Sequence, residues 1–361
     1  MKKILVAMSG GVDSSVSAYL LKEAGLKVTG ATMCLGIKET SRQKPACCGP
    51  QAIEDAKRVC RKLKIPHYVM DFSKDLEKNV VDKFVKEYLN GKTPNPCVDC
   101  NRTLKFEILL KKALSLGFDF LATGHYARIE KKGKSHVLKK AKDIKKDQSY
   151  FLYPIKKDAL KSILFPLGGL TKIKVRKIAR DIGLPVAEKP QSQDICFIPE
   201  KNYHRFLSAR LEKEISQGEI LTLKGEVLGT HKGTTFYTIG QRGGLGVGYR
   251  HPLYVLSIDA QKNRLVVGEK KDLNSKGLLA TELNLLVGDL PKKVFAKIRY
   301  NQKEAKCTIF RDKEKIKVIF KEPQEAVTPG QSVVFYDKDV VLGGGVIEKA
   351  IQPACRQAGE E

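Results

Sequence analysis

Two groups of residues in this sequence have the types and spacing that chemistry needs. The first is Ser9-Gly10-Gly11-Val12-Asp13-Ser14-Ser15, which follows the apolar run Ile4-Leu5-Val6-Ala7 and opens an amphipathic stretch. Adjacent glycines between a strand and a helix let backbone N–H groups and the positive end of the helix dipole converge on one small volume, which suits a phosphate. The serine hydroxyls donate, and Asp13 either works through a metal ion or holds the loop. Neither G-x-x-x-x-G-K-[ST] nor G-x-G-x-x-G stands at this place. A plain glycine turn with Asp as helix cap is the alternative, and the order strand, motif, helix weighs against it. The second group is cysteine. Cys97 and Cys100 form a C-x-x-C behind Pro94 and Pro96, where a rigid loop would expose them, and Cys196 lies far along the chain between Asp194 and Phe197. Two thiols on loops beside one sheet can meet at a nucleotide and pass sulfur, one holding a persulfide and the other resolving it.

The elements that must position these residues follow from periodicity. Up to about residue 125, short apolar runs over 4–7, 28–33, 67–71 and 118–123 alternate with amphipathic stretches, the pattern of a parallel sheet with helices on its faces. Ile53, Ala56, Val59 and Leu63 share one helical face, and Val80, Phe84 and Tyr88 another. Residues 130–146 are dense in Lys and read as a hairpin or surface loop. Helical signals resume over 174–183 and 201–210, and the first, α/β domain is set at 1–200. Frequent glycines and a period-two run over 253–267 mark a small central α+β domain, 201–277. Short strands over 294–300, 305–310, 315–320, 332–336 and 340–347 predict a C-terminal β-barrel, 278–361. The tail from Gln352 carries no pattern. The fold class is therefore α/β, with a parallel-sheet domain, a small α+β domain and a barrel.

Composition bounds the partners. The chain has 361 residues, 42% hydrophobic and 29% charged, which excludes wholesale disorder and fits two or three domains. No window reaches the roughly 18 uncharged apolar residues of a membrane span, and no cleavable signal pattern precedes Ser9, so a soluble, cytoplasmic protein without a membrane partner is expected. Nine cysteines, unevenly spaced, argue against a secreted disulfide framework. A net charge of +26 favours a polyanion, and nucleic acid comes first. Evenly spread charge in a merely Lys-rich chain is the alternative.

The loop 9–14 resembles the PP-loop of ATP pyrophosphatases, which split ATP between the α and β phosphates and activate an oxygen as an adenylate. The resemblance continues through Asn95-Pro96-Cys97-Val98-Asp99-Cys100-Asn101, Ala122-Thr123-Gly124-His125-Tyr126, Lys146-Asp147-Gln148-Ser149-Tyr150-Phe151, Asp194-Ile195-Cys196-Phe197-Ile198, Thr238-Ile239-Gly240-Gln241-Arg242 and Thr328-Pro329-Gly330-Gln331-Ser332. In this order the motifs resemble the bacterial tRNA-specific 2-thiouridylase family over nearly the whole chain, and the first domain then corresponds to an adenine nucleotide alpha hydrolase-like fold.

That resemblance implies ATP with Mg2+ held by Ala7, Met8, Ser9, Gly10, Gly11, Val12, Asp13, Ser14, Met33 and Gly124. It implies a persulfide on Cys196 and a nucleophilic Cys100 as the catalytic pair. It implies tRNA, through its anticodon loop, on Asn95, Pro96, Cys97, His125, Lys146, Asp147, Gln148, Arg299, Tyr300 and Gln331. Lys146 to Phe151 mixes charge, an amide and aromatics, which suits looped RNA. Many members carry Asp where this chain has Cys97, and Asp99 is out of register by two with that acid/base position. Cys97, Cys100 and Cys196 also match relatives that hold a four-iron four-sulfur cluster by three thiolates, an alternative to the persulfide relay. Zinc is disfavoured, because a structural site wants four ligands. An upstream sulfur-donor protein is implied as a partner. The expected chemistry is adenylation of the wobble uridine at C2, then replacement of AMP by sulfur. A small-molecule PP-loop ligase and a non-enzymatic RNA-binding protein are the other readings. Cys47-Cys48 read as loop residues, and Cys34, Cys60, Cys307 and Cys355 as packing or surface residues.

Overall fold

The computed structural model describes residues 1–36, 49–190, 195–198, 202–211 and 215–352. The readings made for Cys47-Cys48, Asp194, Lys201, Cys355 and all of the tail but Gln352 lie outside the described residues. The chain divides into two compact units, one of 1–81, 96–201 and 339–341, the other of 82–95, 202–338 and 342–361.

In the first unit, β1 (Lys3–Ala7), β2 (Lys27–Cys34), β3 (His67–Asp71), β4 (Phe120–Ala122) and a two-residue β7 (Ile163–Leu164) form a parallel sheet in the order β3-β2-β1-β4-β7. An apolar run such as Ile4-Leu5-Val6, buried on both faces, is what a central parallel strand requires. Helices α1 (Val12–Glu23) and α2 (Pro50–Lys62) cover the sheet, and Ile4 and Val6 share one core with Val16, Ala56 and Val59. Pro50 at the first helical position needs no intrahelical N–H bond, and Arg61 and Lys62 in the last turn complement the dipole. Because β1 pairs with β2 on one side and β4 on the other, a crevice opens at its carboxyl end, where open α/β sheets take ligands.

The Lys-dense stretch is the antiparallel hairpin of β5 (Ala127–Lys132) and β6 (Ser135–Lys140). Its base is held by Asp339, which accepts from Arg128 Nη2 at 2.7 Å and pairs with Lys139 at 3.0 Å.

One expectation is corrected here. The C-x-x-C does not sit in an extended loop: Pro96–Asp99 is a short helix that runs into a π-helical stretch, Cys100–Leu109. Proline is as well suited to the first turn of a helix as to a stiff loop, and here it begins one.

In the second unit, β8 (Gly218–Thr222), β9 (Val227–His231), β10 (Tyr254–Asp259) and β11 (Arg264–Gly268) form a four-stranded sheet around Ile220, Val255 and Leu265. The strands β12 (Asn274–Leu285), β13 (Lys293–Lys297), β14 (Ala305–Asp312), β15 (Lys315–Glu325), β16 (Ser332–Asp337) and β17 (Val340–Ile351) run in the order β12-β15-β14-β13-β16-β17. Pairing of β12 with β17 closes this set into a six-stranded barrel.

Candidate active site

The turn after β1 is built for close approach. Gly10 has φ +67°, a conformation that costs other residues, and a Cβ there would collide with the carbonyl of Ala52. Ser14 and Ser15 turn their hydroxyls back on the Gly11 carbonyl, at 3.2 and 2.8 Å, and Ser14 Oγ accepts from the Ser9 N–H at 3.2 Å. Gly124 follows β4 so tightly that a Cβ would lie 2.7 Å from Ser14 N. The result is a small cradle at the N-terminus of α1, where amides and dipole favour an anion.

Two lysines from the end of the first unit brace this cradle. Lys172 Nζ donates to both oxygens of Asp13, at 2.6 and 2.7 Å, and Tyr126 Oη donates to Asp13 Oδ1 at 2.8 Å. Burial first, and then the Asp13 carboxylate, push the Tyr126 phenol well above its ordinary range, so it stays a donor. Lys189 Nζ donates to the Gly10 carbonyl at 3.1 Å and to Asp55 Oδ2 at 2.7 Å. Asp13 therefore holds the loop in this structure.

The cradle opens into a cavity of about 340 Å³. Ala31, Met33 and Leu35 give it an apolar wall at the end of β2, while Ser9, Asp13, Gly124 and Lys172 give it a polar one. On the remaining side stand Pro96, Cys97, Cys100 and Cys196, with Lys105, His125 and Gln148. One space thus brings together the loop, Met33, Gly124 and the three cysteines. Cys97 is exposed, and Cys100 and Cys196 are half-buried. Burial pushes the Cys100 thiol up, with the Lys105 ammonium pulling the other way and Asp99 adding to the rise. Lys105 is itself steered by Asn101, whose Oδ1 accepts from it at 2.9 Å and whose amide donates to the Phe151 carbonyl at 3.0 Å.

The three thiols line one cavity. Among the described residues no group of three or more His, Cys, Asp or Glu could hold a metal ion. A four-iron four-sulfur cluster would take its thiolates on separate irons and so does not need them to converge on one point; the cysteines to hold it would be Cys97, Cys100 and Cys196, and no step below is routed through one. Cys60 and Cys307 are buried, and burial pushes both thiols up to about 12. Iodoacetamide at mildly alkaline pH should therefore modify Cys97 first and spare Cys60 and Cys307 in the folded protein. Peptide mass spectrometry of a time course checks this, and labelling of Cys60 ahead of Cys97 would contradict it.

His125 accepts or donates at Nδ1 with Thr123 Oγ1 at 2.7 Å and lies between the rings of Phe106 and Phe165, 5.9 Å from each. Burial first, then Lys105, hold it well below its ordinary 6.5, so it faces the cavity neutral. Burial also lowers His67, His204 and His231. Groups that resist protonation when folded take up protons on unfolding, so stability should fall as pH drops through about 6.5 and continue to fall below it. Melting temperatures between neutral pH and about pH 5 test this, and a flat profile would contradict it.

The residues matched to tRNA contacts are distributed differently. Pro96, Cys97, His125 and Gln148 line the cavity, and Gln148 Oε1 is fixed by the Tyr126 N–H at 2.9 Å. Asp147 is buried, and its carboxylate accepts from Ala141 N at 2.8 Å and Ser149 Oγ at 2.7 Å, so it shapes its own turn. Lys146 ends the short helix before it, outside the cavity lining. Asn95, Arg299, Tyr300 and Gln331 belong to the second unit. There Arg299 Nη2 donates to the Ala326 carbonyl and to Thr328 Oγ1, at 2.9 and 2.8 Å, and Gln331 Nε2 donates to the Thr93 carbonyl at 2.8 Å. Lys297 lies 5.5 Å from the Tyr300 ring centroid. Tyr126 stands in the motif Ala122 to Tyr126 without an assigned role, and Lys105, Lys172 and Lys189 carry no sequence signal that points to the site. In a chain with 66 Lys+Arg, a lysine carries no signal of its own.

A parallel α/β unit with an anion cradle at the carboxyl end of its central strand, opening on three cysteines, defines a nucleotide-site protein with thiol chemistry beside it. Comparison with known proteins refines this. Residues 2–200 match the family model described as tRNA methyl transferase HUP domain, 204–269 the tRNA methyl transferase PRC-barrel domain and 275–347 the aminomethyltransferase beta-barrel domain. The chain is 54% identical to tRNA-specific 2-thiouridylase MnmA 1 of Syntrophus aciditrophicus, over 98% of this chain and 94% of that one. It is 49% identical to tRNA-specific 2-thiouridylase MnmA of Carboxydothermus hydrogenoformans, over 97% of this chain and 98% of that one. The chain belongs to the tRNA-specific 2-thiouridylase family.

Proposed function

We propose that this chain uses MgATP to activate C2 of the wobble uridine of tRNA and replaces its oxygen with sulfur, giving 2-thiouridine. The observation that carries the reading is the single cavity shared by the anion cradle and by Cys97, Cys100 and Cys196. The triphosphate lies on the amides of 9–14 with adenine against Met33, and Gly124 leaves room for it. The uridine enters past Pro96, Cys97 and His125. Extruding a base costs a few kcal/mol, least in a loop. Uridine O2 attacks the α-phosphorus and pyrophosphate leaves. The terminal sulfur of a Cys196 persulfide then attacks C2 and expels AMP, leaving the base joined to Cys196 through an S–S bond. Cys100 Sγ then attacks Cys196 Sγ as its proton passes to the departing thiouridine, which releases the thiolated base and leaves a Cys100–Cys196 disulfide. A cellular thiol reductant returns the pair to thiols with two electrons, and a sulfur-donor protein reloads Cys196. Walls of Met33, Leu35, Leu76 and Val80 limit water at the adenylate.

On this reading 1–200 is the catalytic domain, 201–277 and 278–361 hold the tRNA body, and the protein works in the cytoplasm. The test is ATP labelled at the α-phosphate, incubated with and without unmodified tRNA. AMP formed only with tRNA is expected. AMP formed equally without tRNA, or turnover untouched by Ser at both Cys100 and Cys196 with a small-molecule acceptor, would favour a small-molecule ligase.

A further inference from the structure

Asp13 sets an electrostatic problem at the nucleotide cradle. It lies in the first turn of α1, so its carboxylate stands among the same N-terminal amides that the reading above gives to the triphosphate. A bare carboxylate there would compete with the phosphates as a built-in anion. The structure spends both of its oxygens instead. Lys172 Nζ bonds Oδ1 and Oδ2 at 2.6 and 2.7 Å, and Tyr126 Oη adds a third donor at 2.8 Å. The lysine is held from below as well. Its backbone N–H donates to Asp143 Oδ2 at 2.9 Å, and its ammonium lies 5.8 Å from the Tyr126 ring centroid. Both side chains of the ion pair are largely withdrawn from water: Lys172 is 12% exposed and Asp13 24%. Charges so placed are poorly screened, and their sum is felt at the cavity wall they share.

We propose that Lys172, with Tyr126, is a positioning residue that acts through Asp13: by engaging both carboxylate oxygens it removes a negative charge from the rim of the phosphate site and thereby sets the affinity for the triphosphate. The proposal rests on the reading of this cradle as an ATP site. It differs from a direct phosphate contact by Lys172 in what removal of Asp13 does.

The test is calorimetric binding of magnesium α,β-methylene-ATP to the full chain and to K172M, D13N and D13N/K172M, with a melting curve for each. Lys172→Met should weaken binding on the order of ten-fold or more, because it uncovers a carboxylate in the wall of the same cavity. D13N/K172M, a neutral pair of nearly the same shape, should recover most of that loss, and D13N alone should bind at least as tightly as the wild type. Recovery of affinity without recovery of melting temperature would separate this role from simple bracing of the loop. Wild-type affinity in K172M would overturn the proposal. So would a double variant as weak as K172M, which would make Lys172 a direct phosphate ligand, or a D13N variant that loses binding, which would make Asp13 a magnesium ligand. Absence of binding by the wild-type chain would instead sink the ATP reading, and this proposal with it.

Discussion

Replacing Cys196 by Ser should reduce thiouridine formation by about a thousand-fold or more while leaving tRNA-dependent release of AMP measurable. The two steps use different groups. Adenylation needs the anion cradle and the uridine oxygen, and Cys196 enters only when sulfur displaces AMP. Water is the remaining nucleophile in the variant, so uridine is regenerated and ATP is spent without product. Cys100→Ser should fail later. Sulfur reaches C2, but nothing attacks Cys196 Sγ, so one equivalent of tRNA stays bonded to the protein through a linkage that a strong thiol reductant cleaves. Nucleoside mass spectrometry and a non-reducing gel distinguish these outcomes. Normal product from Cys196→Ser, or equal loss of AMP release and thiouridine in both variants, would contradict the assigned roles.

The second large effect is expected at Gly124. A Cβ there would lie 2.7 Å from Ser14 N and 2.8 Å from Asp13 C, both backbone atoms of the first turn of α1. Neither can swing away as a side chain would, so Gly124→Val must push apart the strand end and the cradle. Overpacking of this kind costs about 1–3 kcal/mol of stability. The cost to function should be larger, on the order of a hundred-fold in nucleotide affinity, because amides aimed at one point are moved off it. Gly169→Ala is the matched control, since a Cβ there meets nothing within 4 Å. Equal nucleotide affinity in the two variants would remove Gly124 from the site.

The parts of this molecule that were readable in advance are those with a local cause. Runs of apolar residues announced β1 and β2 because inner parallel strands are buried along most of their length, whereas β3 is an edge strand that leaves Tyr68 and Val69 exposed. The glycine pair at 10–11 announced the cradle because a positive φ at Gly10 has few other occupants. By contrast β7 has two residues, Ile163 and Leu164, too few for any period to register. The segment around Cys97 and Cys100 was ambiguous at Pro96, which serves a loop and a helix start equally, and the helix won.

Long-range partners were the hidden part. Lys172 and Lys189 reach Asp13 and the Gly10 carbonyl across 159 and 179 residues of sequence, and nothing local distinguishes them from other lysines. Likewise, family motifs name Asp147, Arg299 and Gln331, but only the folded chain reveals that each carries hydrogen bonds to its own backbone surroundings. What those partners show for these residues is a part in holding the local backbone.

On the proposed reading, ATP-driven activation and sulfur transfer occur in one cavity of this chain. Its most direct test is nucleoside mass spectrometry on unmodified tRNA incubated anaerobically with the protein, MgATP and a persulfide source, with Cys196→Ser beside it. A uridine whose mass rises by one oxygen-to-sulfur exchange, dependent on ATP and absent in the variant, is expected. Well-folded, persulfide-loaded protein that yields no thiouridine, or yields it equally without ATP, would contradict it.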